Sequence, residues 1–423
     1  MTRYHTWIAV LLALAGFVVS WIVIHHGRFV PGQMIDTPIY AHYAGMMKRG
    51  LVPYRDFIEV YPPLALPVFA LPGLLAGTSF HVYTQIFQLM MMLCGMAAVG
   101  LATVVLVDQK PERRRLVAGV AIGALMPVLM GSVILSRYDL WPTALTAAAL
   151  VALWLGSSRT GFAFIGLGFA AKAYPIVILP IALIYVWRSE GRRRALQCIG
   201  VFVAVVLAWF LPFVIASPHG VWASITNQSG RPLQIESMGA SLWLFAHQVL
   251  GTHVSTYFTH GSDNLYGHPP SDFAVVMSVI QAAALLAIYF FYAAGEATRE
   301  RLLAASAAAV CAFIVFDRVL SPQYLIWLVP LAMMVPGRRG LRAVGLLALA
   351  MLLTQVWFPR DYPLLKHFLP LESWAVIARN IVLLALFGAL AWPDVPIWRS
   401  IRSVISQFTT ASKVAPVPQF DEA

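Results

Sequence analysis

The stretch that decides the fold is residues 161–187, GFAFIGLGFAAKAYPIVILPIALIYVW, an apolar run interrupted near its middle by a lysine and a proline. It lies between SSRT and RSEGRRR, two segments with the composition of cytoplasmic loops. The run is too short to cross a bilayer twice, because each full crossing takes about 20 residues. Pro175 and Pro180 further weaken any continuous helix. We therefore predict two half-helices that form a hairpin, which is tolerable at membrane depth only inside protein.

The whole chain has the composition of a membrane protein. Of its 423 residues, 60% are hydrophobic and only 11% are charged. A soluble domain carries roughly a quarter charged residues. Apolar runs of membrane-spanning length recur from end to end, so the sequence predicts an all-α polytopic membrane protein. Besides the hairpin, the predicted spans are 6–25, 82–106, 116–135, 141–157, 195–217, 272–295, 302–320, 323–336, 343–358 and 374–391.

Counting the hairpin as two crossings gives about twelve spans, within an expected range of about 10–13, and places both termini in the cytoplasm. Run 6–25 has no small-residue cleavage site, so it is interpreted as a retained helix and not as a signal peptide. Residues 64–78 are too short and too rich in proline for a full span, which leaves a re-entrant segment as the alternative. We expect one transmembrane domain over residues 1–391 and a cytoplasmic tail over residues 392–423.

The net charge of +11 does not indicate nucleic-acid binding once the basic residues are located. Many of them lie in short clusters between apolar runs: DQKPERRR, RSEGRRR, EATRER and GRRGLR. Such clusters are typical of cytoplasmic loops that set membrane orientation. The three cysteines lie apart within apolar segments, and the histidines do not fall at ligand spacing, so neither a disulfide framework, a metal nor a cofactor is expected. No nucleotide-binding glycine motif and no HExxH motif occurs.

The remaining charges gather on the side opposite to the basic loops. They fall in segments 26–63, 136–140, 218–271, 320–322 and 359–373, or border them, with KAYP opening toward the same side. Each polar group at membrane depth costs roughly 2.5–3.5 kcal/mol, so such groups usually line a cavity. The pattern predicts one extracytoplasmic site that is built from Asp36, Asp56, Glu59, Arg137, Asp139, Lys172, Arg231, Glu236, Asp317, Arg318, Arg360 and Asp361.

The first external loop is predicted to contain a helix that lies on the membrane surface. Thr37 fits an N-cap, and Pro38 fits the first helical position after it. Gly50 fits the C-terminal end of the helix. An apolar face recurs at helical spacing, formed by Ile39, Tyr43, Met46 and Met47. Asp36 stands just before this helix. It is either a charge that favours a helix N-terminus or a general base at the water–lipid boundary.

Several other residues each allow a structural and a functional interpretation. Tyr61, held extended by the prolines after it, fits an interface anchor as well as a substrate contact. Arg137 and Asp139 occupy a very short turn, where they either form a mutual ion pair or contact a ligand. Lys172 either snorkels to the surface or meets an anion beside the break in the hairpin.

The later polar segments allow the same two interpretations. Arg231 and Glu236 lie in a long external loop, where a salt bridge is the default. Two polar pairs lie close together where one predicted span ends and the next begins: Asp317 and Arg318, then Gln323 and Tyr324. Such spacing is typical of residues that line one side of a site, and it would equally allow pairing within the loop.

Together these stretches resemble the GT-C class of integral-membrane glycosyltransferases, and most closely glycosyltransferase family 87, the polyprenyl-phosphate-mannose-dependent mannosyltransferases. The early matches are Asp36, the Gly-x-x-x-Tyr stretch from Gly50 to Tyr54, and Tyr-Pro-Pro-Leu from Tyr61 to Leu64. The later ones are KAYP at 172–175, RPLQIES at 231–237 and SPQYLIWLVP at 321–330. The resemblance extends, in order, over about residues 30–335.

The resemblance implies an inverting transfer of a sugar, mannose by family, from a polyprenyl phosphate to a hydroxyl of a lipid or glycan acceptor. It implies a site on the periplasmic or extracellular face of the cell membrane, with Asp36 as general base. Phosphate leaves without a general acid, so one carboxylate suffices. Lys172, Arg231 and Arg318 are candidates for stabilising the leaving phosphate. Asp56 and Glu59 are rivals of Asp36 or orient acceptor hydroxyls, and the further candidate substrate contacts are Tyr61, Arg137, Asp139, Glu236, Gln323 and Tyr324.

A transporter or flippase of lipid-linked saccharides is the alternative function. Such a protein also gathers polar residues near half-helices, but it should show matching broken segments in two halves of the chain. The long polar first loop has no counterpart in the second half. A structural membrane subunit would leave the external charges of both signs unexplained. The sequence therefore favours a transferase.

Overall fold

The computed structural model describes residues 3–30 and 32–391, and within these ranges the chain is almost entirely helical. The first part forms the helices α1 (Arg3–Val23), α2 (Thr37–Lys48), α3 (Leu66–Leu75), α4 (Phe80–Asp108), α5 (Arg113–Met130), α6 (Val133–Ser136) and α7 (Leu140–Trp154). Short 3₁₀ turns at Gly27–Phe29 and Pro63–Ala65 precede α2 and α3.

The middle part contains α8 (Ser158–Ala171), a 3₁₀ turn at Tyr174–Ile178, α9 (Leu179–Glu190), α10 (Arg192–Ala216), α11 (Pro218–Ser229) and α12 (Ala240–Leu250). A small antiparallel hairpin of β1 (Thr256–Thr259) and β2 (Ser262–Leu265) follows. In its register Thr256 lies opposite Leu265.

The last part contains α13 (His268–Ala294), α14 (Arg299–Val315), a 3₁₀ turn at Pro322–Tyr324, α15 (Leu325–Met334), α16 (Gly337–Thr354), α17 (Tyr362–Lys366) and α18 (Pro370–Ala391). The predicted cytoplasmic tail, residues 392–423, lies outside the described residues.

The prediction of an all-α polytopic membrane protein is confirmed. In the described part of the chain, five helices are long and apolar enough to cross a membrane: α1 from Thr6, α4, α10, α13 and α18. Predicted spans 141–157, 302–320 and 323–336 instead form the shorter helices α7, α14 and α15, which are buried along most of their length. A helix that is apolar on every side is either a membrane span or a core helix, so composition alone does not separate the two.

The hairpin predicted for residues 161–187 is present as α8 and α9. The hydroxyl of Ser158 donates a hydrogen bond to the carboxylate of Glu190, so the outer ends of the two half-helices meet. Helix α8 ends at Ala171, and Lys172 continues in extended conformation with φ −162° and ψ 144°. The break therefore lies at the KAYP segment, as predicted, and the hairpin packs against α7 and α10.

Helix α2 starts one position earlier than predicted, because Asp36 and not Thr37 is its N-cap residue. The Asp36 side chain makes no capping hydrogen bond. The end of the helix is as expected: Gly50 follows it with φ +83°, a conformation that favours glycine. Tyr40 is buried against α3 and its neighbours, whereas Ile39 on the predicted apolar face is 45% exposed.

Short helix α3 occupies the segment that was too short for a full span. It is ten residues long and packs between α2 and α4. Leu66, Val68 and Phe69 form its buried side, and Pro72 is accommodated inside the helix.

The basic loops and the remaining polar residues lie at opposite ends of the bundle. At the basic end, Arg115 donates to the carbonyl oxygens of Ala332, Met333 and Val335, near the end of α15. Trp154, at the end of α7, donates its indole N–H to Asp108 at 2.8 Å. The opposite ends of α7, α8 and α15 converge on the candidate site.

Candidate active site

An ion pair between Asp36 and Arg137 stands at the start of α2. The two residues come from separate loops, and their side chains remain 20% and 13% exposed, so the pair is open to an incoming molecule. The Tyr40 hydroxyl donates at 3.4 Å to the same carboxylate oxygen of Asp36, Oδ2, that pairs with Arg137. Arg137 does not pair with Asp139, so the mutual ion pair considered for these two residues is wrong.

Asp139 pairs instead with Lys172 from the break in the hairpin. Its Oδ1 atom lies 2.6 Å from the ammonium of Lys172 and accepts the indole N–H of Trp327 at 2.7 Å. Asp139 is 1% exposed, whereas the Lys172 side chain is 18% exposed. Asp139 is thus an internal counter-ion, and Lys172 is the member of the pair that a ligand reaches.

The ammonium of Lys172 is surrounded by aromatic rings. It lies 4.7 Å from the ring centroid of Tyr138, 5.1 Å from that of Trp327 and 5.6 Å from that of Tyr324. Cation–π attraction of this kind contributes about 0.5–2 kcal/mol per ring. Lys172 therefore does not snorkel to the lipid surface but is held inside the protein.

An aromatic cluster supports the Asp36 side of the site. Tyr40 stacks on Phe69 with ring centroids 4.3 Å apart, and Tyr61 meets Tyr138 edge to face at 5.3 Å. Tyr138 also packs against Tyr40 at 5.9 Å. The cluster joins α2, α3 and the turn before α7, and so fixes the relative positions of Asp36 and Arg137.

The two rival acids of the first loop have different environments. The exposed Asp56 carboxylate pairs with Arg55 and accepts the backbone N–H of Val52. The hydrogen bond from Arg55, and then that from Val52, lowers the pKa of Asp56 to about 2. These contacts give Asp56 a local role in the turn and do not join it to the Asp36–Arg137 pair.

Glu59 is buried beneath the same loop. One carboxylate oxygen accepts the backbone N–H of Tyr61 at 2.9 Å, and the other is buried without a hydrogen-bond partner. Burial raises the pKa of Glu59 to about 8, so its carboxyl group is largely protonated at neutral pH. Glu59 in this state has a proton to donate and is not a base.

Arg231 and Arg318 come together in a wall formed by two loops. Arg318 donates through all three guanidinium nitrogens, to the hydroxyl of Ser278 and to the carbonyl oxygen of Arg231. Arg231 donates to the hydroxyl of Ser262 at 2.9 Å, and its charge also acts on Lys172. Arg231 is therefore the nearer of the two arginines to the site, and Arg318 holds its backbone.

Glu236 lies on the inner side of the same loop, buried against α18. Arg379 and Asn380 both donate to its backbone carbonyl oxygen, at 2.8 and 3.2 Å. Burial raises the pKa of its carboxyl group to about 8, although Arg379 and then Tyr362 act in the opposite direction. Glu236 thus anchors the loop to α18. The charge of Arg137 also acts on the Glu236 carboxyl group.

The junction of α14 and α15 contributes the last predicted residues. Tyr324 stacks on Trp327 and faces Lys172, whereas Gln323 accepts the backbone N–H of Leu325 through its backbone carbonyl oxygen. Asp317 accepts the backbone N–H of Val319, and burial raises its pKa to about 6. Tyr324 is thus the residue of this junction that faces Lys172.

The structure adds residues that sequence reasoning did not find: Tyr40, Tyr138, Trp327, Arg379 and Asn380. The aromatic residues lie in apolar or tyrosine-rich runs, where they look like ordinary core. Arg379 is a cation inside predicted span 374–391, and a charged residue within a span is a sequence signal of a functional or paired group. Among the described residues, no group of three histidine, cysteine or acidic side chains is placed to hold a metal ion.

Chemically, the arrangement offers one partly exposed carboxylate beside two partly exposed cations, Arg137 and Lys172, in an otherwise apolar chain. Such a set fits an anionic substrate and the removal of a proton next to it. A search of curated proteins finds no match. A profile described as glycosyltransferase family 87 matches residues 60–322, more than half of the chain. This multi-pass membrane protein belongs to glycosyltransferase family 87, and so it is a glycosyltransferase.

Proposed function

We propose that this protein transfers a sugar from a polyprenyl phosphate to an acceptor hydroxyl, with Asp36 as the general base. The observation that carries the proposal is the open ion pair between Asp36 and Arg137, with the ammonium of Lys172 nearby. A carboxylate and two cations with 13–20% exposed side chains supply a base and a phosphate subsite together. Of the three acids in the first loop, Asp36 is the one whose partly exposed carboxylate pairs with a cation from a different loop.

In the proposed reaction, the acceptor oxygen attacks the anomeric carbon of the sugar as the bond from that carbon to the phosphate oxygen breaks. The electron pair of that bond leaves with polyprenyl phosphate. Asp36 takes the proton of the acceptor hydroxyl. Because attack and departure occur on opposite faces, the configuration at the anomeric carbon inverts. One carboxylate is enough, since the phosphate needs no protonation to leave.

Arg137 has a double role in this proposal. While it pairs with Asp36, it stabilises the carboxylate and so makes it a weaker base. A donor phosphate competes for the same guanidinium, which binds phosphate well through paired N–H groups. Binding of the donor would thus draw Arg137 from Asp36 and increase the basicity of the carboxylate when it is needed. Lys172 and Arg231 would share the charge that develops on the leaving phosphate.

The donor and acceptor are further parts of the proposal. Mannose on a polyprenyl phosphate is the sugar that the family resemblance favours, with a lipid or a glycan as acceptor. Tyr61, near Asp36 in the same loop region, would contact acceptor hydroxyls, and the buried Glu59 would position it by accepting its backbone N–H. The site would face the periplasm or the exterior of the cell membrane, because the basic loops occupy the other end of the bundle.

The decisive experiment is a transfer assay with radiolabelled polyprenyl-phosphate mannose and membranes that contain Asp36→Asn protein. We expect transfer to be abolished while the amount of folded protein is unchanged, because asparagine keeps the shape but accepts no proton. Asp108→Asn, at the basic end of the bundle, is the matched control and should retain activity. Full transfer by Asp36→Asn would remove Asp36 from the mechanism.

Orientation is tested separately by labelling single cysteines with a membrane-impermeant maleimide in intact cells. Gln33→Cys and His260→Cys, both at exposed positions near the site end, should react. Lys110→Cys and Arg193→Cys, exposed in the basic loops, should react only after the membrane is opened. The reverse pattern would place the proposed site in the cytoplasm and contradict the extracytoplasmic reaction.

A further inference from the structure

Trp327 and Lys172 donate to the same carboxylate oxygen of Asp139. The indole N–H of Trp327 donates to Asp139 Oδ1 at 2.7 Å, and the ammonium of Lys172 donates to the same atom at 2.6 Å. Trp327 and Asp139 are 2% and 1% exposed. Neither residue is therefore placed to contact a substrate, whereas Lys172 is.

The ring of Trp327 is fixed on both faces. Tyr174 stacks on one side with centroids 4.1 Å apart and an angle of 5°, and Tyr324 stacks at 4.2 Å and 24°. The hydroxyl of Tyr174 in turn lies 2.9 Å from Thr146 Oγ1 and donates to the carbonyl oxygen of Pro142 at 3.2 Å. The stack thus connects α15, the break in the hairpin and α7.

Lys172 depends on such support because its own backbone gives it little. It lies at the break where α8 ends, in extended conformation, with two prolines in the following turn and helix. A free lysine side chain has about 2 kcal/mol of rotamer entropy, which must be lost before the ammonium occupies one position. A buried carboxylate and a fixed ring together define that position.

A contrast within the chain shows that this contact is not a general property of buried tryptophans. Trp357 is fully buried, yet its indole N–H has no hydrogen-bond partner within the described part of the chain. The indole N–H of Trp327 instead meets a carboxylate that is already paired with a cation. A hydrogen bond to a charged group is stronger than one between neutral groups, at about 1.5–3 kcal/mol.

We infer that Trp327 is a positioning residue, which orients Asp139 and through it holds the ammonium of Lys172 toward the donor phosphate. This inference rests on the proposed function, in which Lys172 meets that phosphate. Trp327 itself touches neither the sugar nor the acceptor. Its loss should weaken binding of the donor and leave binding of the acceptor unchanged.

The test compares Trp327→Phe, which keeps an aromatic ring but loses the N–H donor, with the wild type in detergent. We expect the KM for the polyprenyl-phosphate sugar, and the Kd for farnesyl phosphate as a sugar-free probe, to rise about tenfold or more. The KM for the acceptor should stay within twofold. Trp154→Phe is the matched control, because it loses an indole N–H to Asp108 of nearly the same length at the basic end. It should resemble the wild type.

A double-mutant cycle separates positioning from packing. If Trp327 acts through Lys172, Trp327→Phe adds no further loss of donor binding when Lys172→Gln is already present. Multiplicative losses in the double variant would overturn the inference, as would equal increases in both KM values or an unchanged Kd for farnesyl phosphate. If Trp327→Phe does not fold, Trp327→Tyr, which also lacks the indole N–H, is used in the same comparison.

The failures of the two proposals differ. Retained transfer by Asp36→Asn overturns the proposed function whatever Trp327 does. Normal donor binding by Lys172→Gln overturns the role of Lys172 and with it the inference on Trp327. Impaired donor binding by Lys172→Gln together with normal binding by Trp327→Phe overturns the inference on Trp327 alone.

Discussion

Arg137 and Asp139 are two residues apart, yet they belong to different ion pairs: Arg137 binds Asp36, and Asp139 binds Lys172. The buried Tyr138 between them packs against Tyr40 and Tyr61. The turn before α7 therefore directs one charge toward the first loop and the opposite charge toward the hairpin. Both pairs depend on this turn, so a change there alters the base and the phosphate subsite together.

Arg137→Gln should lower kcat/KM for the donor by about 10²–10³-fold, the usual loss when one donor to a developing anion is removed. Arg137→Lys should recover part of this loss, because it restores the charge without the paired N–H groups. Steady-state kinetics with the donor varied checks both. Arg55→Gln is the control, since Arg55 is exposed and pairs only with Asp56. Wild-type kinetics for Arg137→Gln would exclude Arg137 from the phosphate subsite.

Glu59 should make the stability of the protein fall as pH rises. Its carboxyl group has a folded pKa of about 8, above its ordinary value of 4.5, so the folded state holds a proton that the unfolded state has released. This contribution is present below pH 4.5 and is lost as pH rises through about 8. The melting temperature in detergent should therefore differ less between pH 5.5 and pH 7.5 for Glu59→Gln than for the wild type, since both pH values lie within the range of about 4.5–8.

Asp56→Asn is the control for this titration. The pKa of Asp56 is lowered to about 2, so the carboxylate stays ionised at both pH values, and its removal should leave the pH difference unchanged. An equal pH difference in Glu59→Gln and the wild type would show that Glu59 does not carry a proton in the folded protein.

Gly220→Ala should displace the first external loop. A Cβ atom at this position would lie 1.9 Å from the carbonyl oxygen of Tyr54, a backbone atom that cannot rotate away. Ser217 also donates to that oxygen at 3.1 Å, so α11 and the loop are joined there. Overpacking of this kind costs about 1–3 kcal/mol, and we expect a lower melting temperature together with reduced transfer.

Gly200→Ala, in the neighbouring helix α10, is the matched control. A Cβ atom there meets nothing within 4 Å, and alanine favours a helix over glycine by about 1 kcal/mol. Its melting temperature should equal or exceed that of the wild type. A Gly220→Ala protein with unchanged stability and activity would show that the loop moves freely from α11.

Treatment with EDTA should leave transfer unchanged. The proposed subsite neutralises the phosphate with Arg137, Lys172 and Arg231, and the described residues offer no cluster of metal-ligating side chains. The assay is run before and after chelation, with Mg²⁺ or Mn²⁺ added back. Inactivation that is reversed by one of these ions would contradict a reaction supported by protein cations alone.

The features that the sequence predicted well are local in the chain. The break at KAYP depends on a lysine, two prolines and the polarity of two flanks, all within about 30 residues. The end of α2 at Gly50 likewise needs only the local requirement for positive φ. The prediction that the remaining charges line one site follows from the cost of placing them in lipid, which does not depend on knowing the fold.

The features that the sequence did not predict depend on distant partners. Arg137 and Asp139 look like an ion pair in the sequence because they are only two residues apart. Their true partners, Asp36 and Lys172, are distant in the chain and are brought to them by tertiary packing. Trp327 stands in the apolar run LIWLVP, where nothing distinguishes it from core. The predicted N-cap of α2 is one residue too late, and the Asp36 carboxylate makes no capping hydrogen bond because it is engaged by Arg137.

Helix α15 is buried on every side, although its ten residues are among the most apolar in the chain. It is too short to span a bilayer alone, and its final carbonyl groups are satisfied by Arg115, more than two hundred positions earlier. This segment therefore cannot insert into the membrane as an independent transmembrane helix. Its position depends on packing against α4, α5 and α14, so membrane insertion of this segment is coupled to folding of the bundle.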